Sequence, residues 1–198
     1  MSLRPWLWII AGVNGAGKTT FAERAFVDIP FINADVEARA LSPDRPDLAG
    51  LAAGRIVLRQ LDEAFAGAQT VAWETTLSGR FHLRILRNAA SRGWGVGLIY
   101  IGLASADIAL ERIGLRVESG GHMVAAAEVR RRYRRSLSNV RQVAAATDLA
   151  FPIDNSSPRG HTSVVRIFRG TITRTAVEIP DWVRVALPEL LLVPGTRL

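Results

Sequence analysis

Residues 12–19 read Gly-Val-Asn-Gly-Ala-Gly-Lys-Thr. This stretch satisfies the pattern G-x-x-x-x-G-K-[ST] in full, directly after an apolar run of strand length and directly before a helix-compatible stretch. Glycines let successive backbone N–H groups turn toward one anion, and the N-terminus of the following helix adds a partial positive charge there. We therefore predict a phosphate-binding loop. The residues expected to hold the nucleotide are Gly12, Asn14, Gly15, Ala16, Gly17, Lys18, Thr19 and Thr20.

Lysine occurs once in the chain, at Lys18, although Lys and Arg together number 25. Arginine supplies every other positive charge, so the exception stands where a compact point charge suits a phosphate. In a loop of this kind we expect Lys18 to bridge the β- and γ-phosphates of ATP and Thr19 to hold Mg²⁺.

The rest of the chain alternates apolar runs of strand length with helix-compatible stretches. This order predicts an α/β fold, a P-loop NTPase-type parallel sheet with helices on both faces, a helical lid and a C-terminal edge hairpin. The predicted strands lie near 7–11, 31–33, 70–74, 96–101 and 149–153, and the predicted helices near 18–26, 51–65, 80–92, 106–117 and 125–146. Runs at 164–168 and 171–175, on either side of Arg169-Gly170, predict the hairpin.

Length and composition place limits on the domain organisation and the compartment. At 198 residues without a linker or repeat, we expect one domain over 1–198, with the lid at about 116–135 and the hairpin at about 162–178. Cysteine is absent, which excludes disulfides, a thiolate zinc site and a cysteine nucleophile, and fits the cytoplasm. The apolar opening at 6–10 is too short to span a membrane. The net charge of +7 comes mostly from scattered arginines, so we expect no nucleic-acid partner.

Two acidic side chains are predicted at the carboxyl edge of the sheet, where ligands of such folds bind. Asp35 follows the second strand in Asn33-Ala34-Asp35, and its carboxylate can take the proton of an attacking hydroxyl. Glu74 ends the third strand, and Thr76 follows it. Two structural alternatives stay open: Asp35 as a helix N-cap, and Glu74 as a buried salt-bridge partner.

Arginines on both sides of Gly120-Gly121-His122 predict the lid, because the glycines interrupt a helical pattern. Beyond the break, an apolar stripe at helical spacing leaves Arg130 and Arg132 on its flanks and Arg131 and Arg135 on the outer face. We expect Arg116 and Arg130 to reach inward to the phosphates, where closing arginines neutralise charge in the transition state. A solvated face is the alternative for the outer pair.

Taken together, these residues resemble the zeta toxin family of P-loop kinases, in its short stand-alone bacterial form. The resemblance runs from about residue 8 to residue 155. The pieces that carry it, in order, are Gly-Ala-Gly-Lys-Thr-Thr at 15–20, Asn-Ala-Asp at 33–35, Glu-Thr-Thr-Leu-Ser at 74–78, Arg-Val at 116–117, Gly-Gly-His at 120–122, Arg-Arg-Tyr at 131–133 and Arg-Ser-Leu-Ser-Asn at 135–139.

The resemblance implies that Lys18 binds ATP, that Asp35 is the catalytic base, and that Glu74 and Thr76 hold the acceptor. It further implies phosphate contacts from Arg116 and from the neighbourhood of Arg130. Zeta toxins phosphorylate UDP-N-acetylglucosamine, so the resemblance implies a nucleotide-sugar acceptor and an antitoxin partner. Two other hypotheses stay open: a kinase for another hydroxyl substrate such as a nucleoside, sugar or antibiotic, and a nucleotide-binding regulatory module that contacts nucleic acid.

Overall fold

A computed structural model describes residues 4–118 and 123–191 of the chain. The strands are β1 (Trp6–Ala11), β2 (Phe31–Asn33), β3 (Val71–Thr75), β4 (Gly95–Gly102), β5 (Leu149–Asp154), β6 (Thr162–Ser163), β7 (Val165–Phe168) and β8 (Thr171–Thr175). The α-helices are α1 (Lys18–Ala25), α2 (Ala34–Leu41), α3 (Gly50–Ala66), α4 (His82–Ser91), α5 (Ala106–Glu118), α6 (Ala126–Ala145) and α7 (Asp181–Ala186), and 3-10 helices span Pro46–Ala49 and Pro188–Leu191. None of the helices within the described ranges is long and apolar enough to cross a membrane.

The strands form one sheet in the order β2-β3-β1-β4-β5-β7-β8, and β6 pairs with β5. Strands β2, β3, β1, β4 and β5 are parallel, whereas β6, β7 and β8 run antiparallel to their neighbours. The predicted α/β fold class is therefore confirmed, including the hairpin of β7 and β8 at the sheet edge. Strand β1 lies between β3 and β4, which brings the loop after β1 to the middle of the carboxyl edge.

Apolar side chains alternate along the central strands and form a core on each face of the sheet. Leu7 and Ile9 of β1 belong to the first core, which α3, α4, α7 and the C-terminal half of α6 cover. Ile10 belongs to the second core, which α1, α5 and Val129 of α6 cover. Helix α6 thus contributes to both cores, with Val129 near its start in the second core and Val140 near its end in the first.

The sequence left the region after Pro180 unassigned, and there the structure has helix α7. Six residues are too few to display a helical period, so the pattern could not reveal it. Tertiary contacts hold the helix instead: the indole of Trp182 is buried and its Nε1–H donates to Asp154 Oδ1 at 2.7 Å.

Two glycines of β4 make room for tryptophans of β1. Gly95 pairs with Trp6 and Gly97 with Trp8, and the two indole rings stack at 5.3 Å between centroids. A Cβ added at Gly97 would lie 2.3 Å from ring atoms of Trp8. The tryptophans therefore lie flat against the sheet only because β4 has no side chains beneath them.

The substitution Gly97→Ala is expected to destabilise the fold by about 1–3 kcal/mol, the usual cost of overpacking. Urea unfolding monitored by circular dichroism gives the value. Gly54→Ala is the matched control, because no atom lies within 4 Å of a Cβ at this position inside α3. Removing a helix-interior glycine should stabilise by about 0.5–1 kcal/mol. Equal effects of the two changes would contradict the packing argument.

Candidate active site

The loop between β1 and α1 has the backbone of a phosphate cradle. Gly15 and Gly17 adopt φ values of 78° and 88°, which favour glycine, and Gly17 is the N-cap of α1. Asn155, the residue after β5, donates from Nδ2 to the carbonyl of Ala16 at 2.8 Å. A Cβ at Gly17 would lie 2.6 Å from that Nδ2. Asn155 therefore fixes the loop from the end of β5, two strands away from β1 in the sheet, a contact that the sequence analysis did not predict.

A buried carboxylate lies beside the loop. Glu74 Oε1 is 3.4 Å from Lys18 Nζ, and both side chains are 7% exposed. Glu74 Oε2 accepts hydrogen bonds from Thr19 Oγ1 at 2.8 Å and from Asn33 Nδ2 at 3.0 Å. Lys18 Nζ also donates to the carbonyl of Val13 at 3.1 Å. The structure thus brings together Lys18, Thr19, Asn33 and Glu74, four of the residues that the sequence analysis singled out.

The parallel register explains this cluster. Glu74 pairs with Ile10 of β1 on one side and with Asn33 of β2 on the other. Since β3 lies between β2 and β1, its last residues face both the phosphate loop and the start of α2. Glu74 is the penultimate residue of β3, one position further inside the strand than predicted. The salt-bridge alternative and a role at the site are both compatible with this position, because the partner of Glu74 is Lys18 itself.

Asp35 is exposed in the first turn of α2, one residue beyond Ala34. The N-cap of this helix is Asn33, whose Oδ1 accepts from the backbone N–H of Asp35 at 2.8 Å. The alternative that Asp35 serves as the cap is therefore wrong. No ion pair of Asp35 occurs among the residues that the structure describes, and its side chain is exposed two residues after Asn33, which belongs to the cluster around Glu74.

The loop after β3 is held in an uncommon backbone shape. Leu77 has a φ of 56°, and its N–H donates to Thr75 Oγ1 at 3.2 Å. Asn139 of α6 donates from Nδ2 to the carbonyls of Leu77 at 2.8 Å and Gly79 at 3.1 Å. The hydroxyls of Thr76 and Ser78 are 2.8 Å apart. Helix α6 therefore fixes the loop that carries Thr76, the residue expected to hold the acceptor.

His82 also fixes this loop, and the tautomer of its imidazole follows from its hydrogen-bond partners. The carbonyl of Gly79, 3.2 Å from Nδ1, can only accept, so Nδ1 carries the proton. Nε2 then accepts from the hydroxyl of Thr75 at 2.9 Å. Burial lowers the pKa of His82 from 6.5 to about 4, although the bond to Gly79 acts in the opposite direction. The imidazole is neutral at pH 7, stacked on the ring of Trp73.

The arginines of α6 take different partners. Arg132 donates from one guanidinium nitrogen to Asn14 Oδ1 in the phosphate loop at 3.0 Å, and from Nε to Glu128 at 2.6 Å. Arg130, the residue predicted to reach inward, is ion-paired with Asp107 at 2.8 Å, and both side chains are more than half exposed. The direct contact to the loop therefore belongs to Arg132, which the sequence analysis did not select.

The other lid residue of the sequence analysis, Arg116, lies on the exposed side of the last turn of α5. The Gly120-Gly121-His122 segment, on which the lid was predicted, lies outside the described residues. Arg132 is the arginine of this region whose contact with the phosphate loop is described. The roles of Arg116 and Arg130 stay predictions.

The donor set at the loop fits a magnesium ion. Mg²⁺ in phosphate-transfer sites takes one or two protein oxygens and completes its shell with water and phosphate oxygens. The hydroxyl of Thr19 and the carboxylate of Glu74 are adjacent oxygens of this kind. Within 4–118 and 123–191 there is no group of three or more acidic or histidine side chains that could enclose a metal. The oxygens present thus suit an ion that arrives with a nucleotide.

A family model described as AAA domain (AAA_33) matches residues 7–140, more than half of the chain, so the chain belongs to this family. An uncharacterized protein of Haemophilus influenzae is 35% identical in an alignment of 142 residues that covers 66% of this chain and 99% of that protein. The region that the family model matches includes the phosphate loop, Asp35, Glu74 and most of α6.

Solved structures share the fold at low sequence identity. A chain of the AvrRxo1-ORF1:AvrRxo1-ORF2 complex with ATP superposes with a TM-score of 0.72 at 14% identity, over 98% of this chain and 67% of that one. The PezAT toxin–antitoxin system of Streptococcus pneumoniae gives a TM-score of 0.66 at 15% identity, over 96% and 86%. A candidate kinase from Chloroflexus aurantiacus gives 0.53 at 19% identity, over 65% and 79%. The chain has a P-loop kinase-like fold.

The low pKa of His82 makes stability depend on pH. The unfolded chain binds a proton here below pH 6.5, whereas the folded chain does so only near pH 4, so acidification between these values favours unfolding. His82→Asn keeps a donor for Gly79 and removes the titration. The stability advantage of the unmodified protein over this variant should shrink by up to about 3 kcal/mol between pH 7 and pH 4.

Urea unfolding at a series of pH values measures this difference, and subtraction cancels the contribution of the carboxylates that both proteins share. A difference that stays constant from pH 7 to pH 4 would show that His82 titrates normally in the folded protein.

Proposed function

We propose that this chain is an ATP-dependent kinase that transfers the γ-phosphoryl group to a hydroxyl of a small metabolite. The observation that carries the proposal is the cluster of Lys18, Thr19 and Glu74 at the phosphate loop, joined through Asn33 to the backbone of the exposed Asp35. A nucleotide-binding loop alone serves many activities. A free carboxylate at the same edge adds the group that a hydroxyl acceptor needs.

Lys18 exchanges partners when a nucleotide binds. Its ammonium now contacts Glu74 and the carbonyl of Val13, both within 3.4 Å. Phosphate oxygens carry more charge than either, so the ammonium moves to them while Thr19 and Asn33 continue to donate to Glu74. Mg²⁺ bound with the nucleotide supplies charge neutralisation of the phosphates, and the oxygens of Thr19 and Glu74 are the protein groups that would hold it.

Asp35 acts on the acceptor. The acceptor oxygen forms a bond to the γ-phosphorus while the bond from that phosphorus to the β,γ-bridging oxygen breaks, and ADP leaves. The proton of the hydroxyl passes to the carboxylate of Asp35. This position suits the role because Asn33 fixes the backbone of Asp35 and is itself bonded to Glu74, so the base and the phosphate cluster share one support.

Arginines of the lid region complete the site in this proposal. Arg132 already contacts Asn14 of the phosphate loop and is held by Glu128. Arg116 and Arg130 stand at the end of α5 and the start of α6, on either side of residues 119–122. Closure of this region over the phosphates would add their charge to that of Lys18 and exclude water.

For the acceptor, a zeta-type substrate, UDP-N-acetylglucosamine, is the first to test, and Glu74 and Thr76 are the residues proposed to hold it. The likeness in fold to a protein of the PezAT toxin–antitoxin system supports the same line and makes an antitoxin partner a part of this proposal. Incubation with radiolabelled ATP and a metabolite extract, followed by identification of the labelled compound, tests the nucleosides, sugars and other hydroxyl compounds that the extract contains, and antibiotics are added separately.

ATP binding is tested through Lys18. At Mg-ATP about a hundredfold above the dissociation constant, binding should stabilise the protein by about 2.7 kcal/mol and raise its melting temperature. Lys18→Ala alone would leave Glu74 buried without its cation, at a cost of about 3–5 kcal/mol. The double variant Lys18→Ala/Glu74→Gln avoids that charge and should show no nucleotide-induced shift. The matched double variant Arg59→Ala/Glu63→Gln, which removes an exposed ion pair of α3, should keep the full shift. An undiminished shift in the Lys18→Ala/Glu74→Gln variant would remove the nucleotide from this loop.

Catalysis is tested through Asp35→Asn. The change removes the proton acceptor and keeps the shape, so transfer to the acceptor should fall by about 10²–10⁴-fold while the ATP-induced melting shift persists. Asp62→Asn, an exposed acid of α3, serves as the control and should retain full activity. Undiminished transfer by a folded Asp35→Asn protein would reject Asp35 as the base.

A further inference from the structure

A cavity of about 530 Å³ lies next to the loop that follows β3 and carries Thr76. Ser78 of this loop lines the cavity, and its hydroxyl is 2.8 Å from the hydroxyl of Thr76. Its volume falls within the range of about 300–1,000 Å³ that ligand pockets occupy. The lining residues are Ser78, Gly79, Arg80, Arg135, Ser138 and Asn139.

The walls of the cavity are fixed relative to each other. One wall is the loop after β3 and the other is the middle of α6, and Asn139 of α6 joins them through its bonds to the carbonyls of Leu77 and Gly79. His82 holds the same loop through Gly79. A second cavity of about 240 Å³ shares Gly79, Arg80 and Asn139 with the first, so the space continues along this seam.

The charges in the cavity are unbalanced. Arg80 projects from the loop and Arg135 from α6, and neither has an acidic partner among the residues that the structure describes. Other arginines of α6 are paired: Arg130 with Asp107, and Arg132 with Glu128. Arg131 and Arg141 also have carboxylate partners, in Glu128 and Glu189. The two cations that line the cavity thus differ from most of their neighbours in having no counter-charge.

We propose that this cavity binds an anionic group of the acceptor, a phosphate or a carboxylate distant from the reacting hydroxyl, through Arg80 and Arg135. The identification of the ligand as the acceptor rests on the proposed kinase function, whereas the binding of an anion does not. Two guanidinium groups on opposite walls can each give paired N–H donors to one anion, and Ser78 and Ser138 add hydroxyl-bearing residues to the same lining. Because the hydroxyl of Ser78 is 2.8 Å from that of Thr76, the anion would lie next to the residue proposed to hold the acceptor.

Isothermal titration calorimetry with pyrophosphate and with citrate tests the site, on protein whose phosphate loop is filled with a magnesium complex of a non-hydrolysable ATP analogue. Arg80→Gln and Arg135→Gln should each weaken binding of the favoured anion about tenfold, and the double variant should lose it. Arg134→Gln is the matched control, because this exposed arginine of the same helix does not line the cavity. Binding of pyrophosphate alone indicates an acceptor that carries a phosphate, and binding of citrate alone indicates an acceptor that carries a carboxylate.

Failure of the two proposals can be told apart. If neither anion binds, or if Arg134→Gln weakens binding as much as the cavity variants do, the anion site is overturned whatever the enzyme does. If the ATP analogue does not bind, the same titrations on the Lys18→Ala/Glu74→Gln protein still report on the cavity, and only the kinase proposal fails. Once an acceptor is found, Arg80→Gln and Arg135→Gln should raise its KM about tenfold with little change in kcat.

Discussion

A carboxylate that is 7% exposed must be surrounded by donors or by a cation, and the site is built around this requirement at Glu74. Lys18 and Thr19 come from the phosphate loop and Asn33 from the end of β2, so one carboxylate joins three segments that are distant in the sequence. Asn33 in turn caps α2 and fixes the backbone of Asp35. The positions of the nucleotide loop and of the candidate base therefore depend on the same buried charge.

Helix α6 connects the two halves of the site. Near its start, Arg132 contacts Asn14 of the phosphate loop, and two turns later Asn139 holds the loop that carries Thr76. Between them, the hydroxyl of Tyr133 donates to the carbonyl of Leu103. In the proposed kinase, a movement of this helix that brings Arg132 toward the phosphates of ATP would also shift the loop that carries Thr76, because a helix moves as a rigid element.

Local patterns in the sequence sufficed for the phosphate loop, the parallel sheet and the edge hairpin, since each has its own turn residues or period. They also placed Asn33 and Glu74 at the right edge, because strand ends are readable. Arg132 was not readable: a helical wheel puts it and Arg130 on both sides of one stripe, and only the rotation of α6 against the loop decides which of them meets Asn14. Asn155 acts through a contact with Ala16, which is distant in the sequence, and His82 acts through hydrogen bonds within a loop whose backbone shape no sequence pattern indicates.

The pairing of Lys18 with Glu74 also gives the molecule a natural chemical reporter. Apart from the terminal amine, Lys18 carries the only primary amine of the chain, and it is buried in an ion pair. An acylating reagent reaches a lysine only when the nitrogen is exposed and has lost its proton, so the rate of modification measures how often the pair opens. Mass spectrometry of a single modified site could therefore follow the breathing of the phosphate loop in the unaltered protein.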